Sequence, residues 1–153
     1  MNRKEVLLKT WQIANEKESW FAPVRKALEN INASQALWKP AGLEGFNSIM
    51  EITHHLLYYK LRFLARLKET AFEQMATNEA TFVARLSMDW DKVRDELFNT
   101  NSQIVDYLQG LEDSDLDAPK PKAALGQQVL DLATHDAYHS GQIVLIRKLQ
   151  GNW

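Results

Sequence analysis

The chain predicts an all-α fold, four long helices packed as a bundle, on three observations. Glycine and proline are scarce, six and four in 153 residues, and they cluster between long segments. No stretch alternates apolar and polar residues with period two. Apolar residues instead recur at spacings of three and four, which is the period of one helix face. The length suits one domain, residues 1–153, large enough to bury a core.

The first helical segment is expected from about Asn2 to Ile31, with Leu7, Leu8, Trp11 and Ala14 and then Trp20, Val24, Ala27, Leu28 and Ile31 as its apolar positions. Pro23 interrupts it. Proline removes a backbone donor, so the helix either kinks there or a new one starts with Pro23 in its first turn. Asn32 to Phe46 reads as a loop. The second helix has a defined start, because Ser48-Ile49-Met50-Glu51 fits a capping box. Ile49, Ile52, Leu56, Tyr59, Phe63 and Leu67 then mark one face to about Glu69. Thr70 to Asp89 is irregular, with Thr81 to Leu86 as a short helical turn or packed loop. The third helix covers about Asp89 to Gln109, with Gly110 as its stop. An acidic loop from Glu112 to Lys122 leads into the fourth helix, about Leu125 to Leu149, ended by Gly151. The roughly 20 residues between the second and third helices are enough to span a bundle of about 30 Å. They predict a long crossover and an up-down-down-up arrangement.

Composition narrows the function. The charged share is 25% and the formal net charge −2, which argues against general affinity for nucleic acid or anionic membrane. No apolar run reaches the roughly 20 residues of a membrane span, and the N-terminal residues lack a signal-peptide pattern. The expected location is cytoplasmic. With no cysteine, thiolate metal sites and disulfides are excluded. Five tryptophans are assigned to core and interface packing. A His-Glu-x-x-His motif, a phosphate-binding glycine loop, a dinucleotide fingerprint and a Gly-x-Ser-x-Gly elbow are all absent. The di-iron carboxylate bundles need two Glu-x-x-His pairs, which this sequence does not have.

The four histidines carry the remaining chemistry: His135 and His139 on the fourth helix, His54 and His55 on the second. Residues i and i+4 share a helix face, so two imidazoles there can reach one metal ion. On spacing alone this is half a metal site, and a solvated face or packing explains it equally well. Asp131, Tyr138 and Gln142 lie one turn away and can accept the second ring N–H. Adjacent helical residues point about 100° apart, so one of His54 and His55 at most faces the pair. His55 lies just off the apolar stripe, level with Ile52, Tyr59 and Arg62. His54 projects nearly opposite and reads as a surface or secondary-packing residue. Three histidines would leave coordination positions open, unlike a closed structural zinc site. The donor set suits zinc, nickel or ferrous iron and does not choose among them; zinc is the expected metal.

The segment His135-Asp136-Ala137-Tyr138-His139-Ser140-Gly141-Gln142-Ile143, continuing through Val144 to Lys148, closely resembles the last helix of the DinB-like (DinB/YfiT) superfamily. Ser48 to Tyr59 resembles its second helix, where the family histidine matches His55. Trp20-Phe21-Ala22-Pro23 and Trp38-Lys39-Pro40 resemble the first helix and the loop after it, and Trp90 to Arg94 the start of the third. The resemblance implies a four-helix bundle with a three-histidine divalent-metal site at His55, His135 and His139. It also implies a metal-dependent enzyme on a small-molecule substrate, either a thiol-dependent S-transferase using a low-molecular-weight thiol such as bacillithiol or mycothiol, or a hydrolase. A homodimer is expected. Tyr59, Arg62, Tyr138 and Gln142 are candidates to line the pocket. The competing reading is a non-catalytic metal-binding or structural helical dimer.

Overall fold

The computed structural model describes residues 1–83, 89–119 and 123–153. The described residues are helical with no strand: α1 (Arg3–Asn15), α2 (Val24–Ala27), α3 (Ala33–Leu37), α4 (Ile49–Leu67), α5 (Ala80–Val83), α6 (Trp90–Gln109) and α7 (Leu125–Gln150). Four of these are long. No described helix is long and apolar enough to cross a membrane.

Local chemistry sets most boundaries. The Asn2 and Ser48 side chains each accept from the amide three residues on, and Glu5 and Glu51 reach back, so α1 and α4 begin on complete capping boxes. α6 stops at Gly110 as expected. α7 ends on Gly151 at φ 72°, where the left-handed turn returns the Asn152 amide to the Arg147 carbonyl at 3.0 Å. A side chain at that φ would be strained.

The first segment is not one long helix, and a new helix begins at Pro23 as one alternative had it. α1 stops at Asn15, and Pro23 caps a separate short helix. Proline suits that place, since the missing amide would have no helical partner. Trp20 is 99% exposed, so it does not continue the apolar face, and Trp153 is also exposed; Trp11 and Trp90 are buried as assigned. The expected loop after Asn32 contains α3, because Asn32 and Gln35 form a further capping box. The acidic loop contains a 3-10 turn over Asp113–Asp117, tied to α1 by the Arg3 guanidinium. Thr81 to Val83 are helical as one alternative had it; Ala84 to Leu86, and residues 120–122 of the acidic loop, lie outside the described residues.

Side-chain contacts fix the packing directions. Leu7 sits beside Gly126, and Asn15 bonds Asp136, so α1 and α7 run the same way. Lys60 meets Asn101 and Lys68 meets Gln103, so α4 and α6 also run together. Lys60 with Asp136 and Arg66 with Gln128 set α4 against α7 in opposite directions.

The apolar core divides into two clusters. One joins Ile52 and Leu56 to Val93, Leu97, Ile143 and Ile146; the other joins Phe63 and Leu67 to Ile104, Leu108, Val129 and Leu132. Between them, on each helix, falls a buried polar residue: Lys60, Asn101 and Asp136, with Asn15 from α1. This polar layer crosses the interior at the level of the histidines.

Candidate metal centre

His55 enters from α4, and His135 and His139 from successive turns of α7. One ligand atom from each lies within 4.8 Å of the other two. The Nε2 atoms of His55 and His135 are 2.9 Å apart. Among the described residues this is the group of histidines and carboxylates arranged to hold a metal ion, and His54 is not part of it. A zinc ion at about 2.0–2.1 Å from each nitrogen in tetrahedral geometry places them about 3.3 Å apart, which this spacing brackets.

Hydrogen bonding assigns the tautomers of two of the three rings. The Thr81 hydroxyl donates its one proton to the Asn78 carbonyl at 2.6 Å. It can therefore only accept from His55 Nδ1, also at 2.6 Å. His55 thus carries its proton on Nδ1 and presents a lone pair on Nε2. Gln142 does the same for His139. Its amide nitrogen donates to the Tyr138 hydroxyl at 3.0 Å, which turns Oε1 toward His139 Nδ1 at 2.6 Å. His135 Nδ1 is buried and faces Asp136 Oδ1 at 3.8 Å, beyond hydrogen-bond length. One ring nitrogen of each histidine is left facing those of the other two. A proton on His135 Nε2 can bridge to the His55 Nε2 lone pair at 2.9 Å, and a divalent cation can take that proton's place. The residues present fit a divalent ion.

Electrostatics agrees. Burial, reinforced by the charges that His139 and His135 would carry, pushes the His55 imidazole down to about 3. Burial and His135 push His139 down to about 4. Both rings are neutral at pH 7, the form that binds metal.

The centre is dry on one side and open on the other. His55 and His139 are buried, whereas His135 is 27% exposed and borders a cleft of about 760 Å³. Phe82 lies flat on the His55 ring at 4.0 Å, and Tyr59 packs edge-on against His55 and His135. Tyr59, Arg62, Tyr138 and Gln142 all line the cleft, as the sequence suggested. An ion held by three protein ligands there would keep a coordination position toward the cleft.

Other assignments change. Asp131 does not support His135; it accepts from Gln127 at 2.6 Å, and Asp136 is the carboxylate behind the ring. Of the two readings of His54, surface or secondary packing, the second holds: it is buried and borders a separate cavity of about 650 Å³ with Tyr58 and Phe72. Glu51 and His54 do make one Glu-x-x-His pair, but Glu51 is occupied by the Ser48 cap and by Lys39. Thr81, Asn78 and Phe82 went unrecognised in the sequence, since they come from a segment without periodicity. So did the Lys60–Asp136 pair, which reads as two ordinary surface charges. The nearest signal was the interruption of each apolar stripe at the same level.

No curated protein and no solved structure matches the chain. The family model described as the DinB superfamily matches residues 19–143, which span α2 to the middle of α7 and include all three converging histidines. The chain belongs to the DinB superfamily.

Proposed function

We propose that the protein is a metal-dependent enzyme acting on a small molecule, with His55, His135 and His139 as the metal ligands. One observation carries this reading: Thr81 and Gln142 orient two imidazoles so that their unprotonated nitrogens meet a ring nitrogen of His135 at the wall of a cleft. Zinc is the first choice, with nickel or ferrous iron as alternatives. A bound divalent ion would supply Lewis acidity, lowering the pKa of a thiol in an S-transferase or of water in a hydrolase. The protein's own part is positional. Thr81 and Gln142 hold two rings in one tautomer and Phe82 excludes water from His55. The Tyr138 hydroxyl and Gln142 amide present polar atoms on the cleft side. The open coordination position and the cleft favour a thiol-dependent transferase or hydrolase over the non-catalytic bundle. The helix directions support a four-helix bundle with a long crossover between α4 and α6, and a homodimer remains the expected assembly.

The test combines metal analysis with turnover. Protein reconstituted with zinc, nickel or ferrous iron is expected to hold about one ion per chain, as three convergent imidazoles provide one site. The His55→Ala, His135→Ala and His139→Ala variants should each lose it, and His54→Ala should keep it. Loaded protein is then assayed for conjugation of an electrophile to a panel of small thiols. Loss of metal in His54→Ala alone would overturn the ligand set. A fully loaded protein inert toward all the thiols would favour the hydrolase or non-catalytic reading.

A further inference from the structure

Beyond the histidines, the cleft continues along α4 past Arg62 and Arg66. His55, Tyr59, Arg62 and Arg66 follow one another at spacings of four, three and four residues, so they form one stripe on the helix. At a rise of 1.5 Å per residue, Arg62 stands about 10 Å and Arg66 about 16 Å along the axis from His55. Both arginines are half-buried. Arg66 donates to the Gln128 side chain at 3.1 Å, which ties it to the α7 wall. Arg62 Nε is buried with no hydrogen-bond partner. Among the described residues neither arginine forms an ion pair. Burial, together with the neighbouring Arg62 charge, lowers the Arg66 guanidinium from its ordinary value.

Two like charges one turn apart, with a donor left over, are an unfavourable arrangement for a protein alone. The acidic residue of the cleft, Asp131, does not compensate them: one of its oxygens is engaged by Gln127, and it lies exposed on α7. The chain as a whole carries a net charge of −2, so a cationic cleft is not a general feature of its surface. An oxyanion would satisfy the open donors and relieve the repulsion, because guanidinium forks match carboxylate and phosphate geometry.

We infer that Arg62 and Arg66 form an oxyanion subsite, so that the substrate or thiol is a small molecule carrying a carboxylate or phosphate about 10 Å from the atom placed at the histidines. This rests on the metal reading proposed above. Arginine selects for the charged end of the ligand while the histidine centre takes the reacting end, and the helix between them acts as a ruler.

The experiment uses cobalt-loaded protein and three six-carbon probes: mercaptohexanoate, mercaptohexyl phosphate and uncharged mercaptohexanol. Dissociation constants are read from the thiolate-to-cobalt absorption band. At least one anionic probe is expected to bind about tenfold or more tightly than mercaptohexanol, and the better of the two identifies the oxyanion. In Arg62→Gln/Arg66→Gln this preference should disappear, with mercaptohexanol affinity, cobalt content and circular dichroism unchanged. Arg62→Lys, which keeps the charge but not the fork, serves if the double variant does not fold, and should weaken the preference. Equal binding of all three probes by the wild type, or a preference that survives the substitutions, would overturn the subsite. If cobalt fails to bind, the metal reading fails separately. Calorimetry of inorganic phosphate with metal-free protein then decides: binding lost in the arginine variant upholds the subsite, and no binding by the wild type rejects it.

Discussion

His135 and Asp136 are adjacent on α7, yet they enter two different kinds of buried polar cluster. Asp136 meets Lys60 at 2.6 Å, both with fully buried side chains. Asn15 donates to the same carboxylate oxygen, and Lys60 also touches Asn101 and lies over the Trp11 ring. Burial raises the Asp136 carboxyl, but the Lys60 charge and the bonds it accepts outweigh this and hold it below the ordinary carboxylate range. Here each charge has its counter-charge. The histidine cluster is arranged the other way. Its outer nitrogens on His55 and His139 are bonded to Thr81 and Gln142, and its inner nitrogens face one another. His55 and His139 are buried too, while His135 borders the cleft. A buried polar group whose counter-charge is internal holds the fold, whereas ring nitrogens that converge on one another can share a cation.

The largest expected effect breaks the closed cluster. Lys60→Met leaves Asp136 buried without a counter-charge and should cost about 3–5 kcal/mol in urea unfolding of the metal-free protein. Lys60→Met/Asp136→Leu should regain most of that, since an apolar replacement of the whole pair is close to neutral. A single substitution costing under about 1 kcal/mol, the range of exposed pairs, would mean the pair is solvated and the contrast false.

A smaller effect is expected at the open cluster. Thr81→Val preserves shape but removes the acceptor for His55 Nδ1. Zinc affinity, measured by competition with a chromogenic chelator, should fall about 10–100-fold with little change in melting temperature. A stability loss without an affinity change would move Thr81 into the structural class.

The mildest test is pH. In the unfolded chain the imidazoles take up protons near their ordinary value of 6.5, but in the folded metal-free protein His55 does so only near 3 and His139 near 4. The unfolded state therefore binds more protons between these limits. The stability of neutral His55 and His139 is fully present above 6.5 and declines as pH falls toward 4. Denaturation between pH 7 and 6 should catch the onset of that slope. His55→Ala/His139→Ala should flatten it, and an unchanged slope in that variant would assign the dependence elsewhere.

Much of this contrast was legible in the residues. The Ser48–Glu51 box, Gly110 and Gly151 marked helix ends because caps and left-handed turns are local chemistry. The register of the apolar stripe on α4 favoured His55 over His54 because a helix fixes angles between neighbours. The α3 capping box was equally present at Asn32 and Gln35, but the surrounding Trp, Pro and Gly concealed it. Asp136 entered the sequence reading only as part of the segment that resembles the family's last helix. Its true partner, Lys60, lies on another helix, and no spacing along the chain relates the two.

The sequence by itself determined the helices, the pairing of His135 with His139 on one face, and the choice of His55, since each depends on covalent spacing along a rigid helix. Tertiary structure alone decided which atom of each ring faces inward. It also decided which polar groups are closed off and where the cleft opens. Those depend on how α4 and α7 cross, and on Asn78, Thr81 and Phe82, which are brought over the site by packing rather than by any period in the chain.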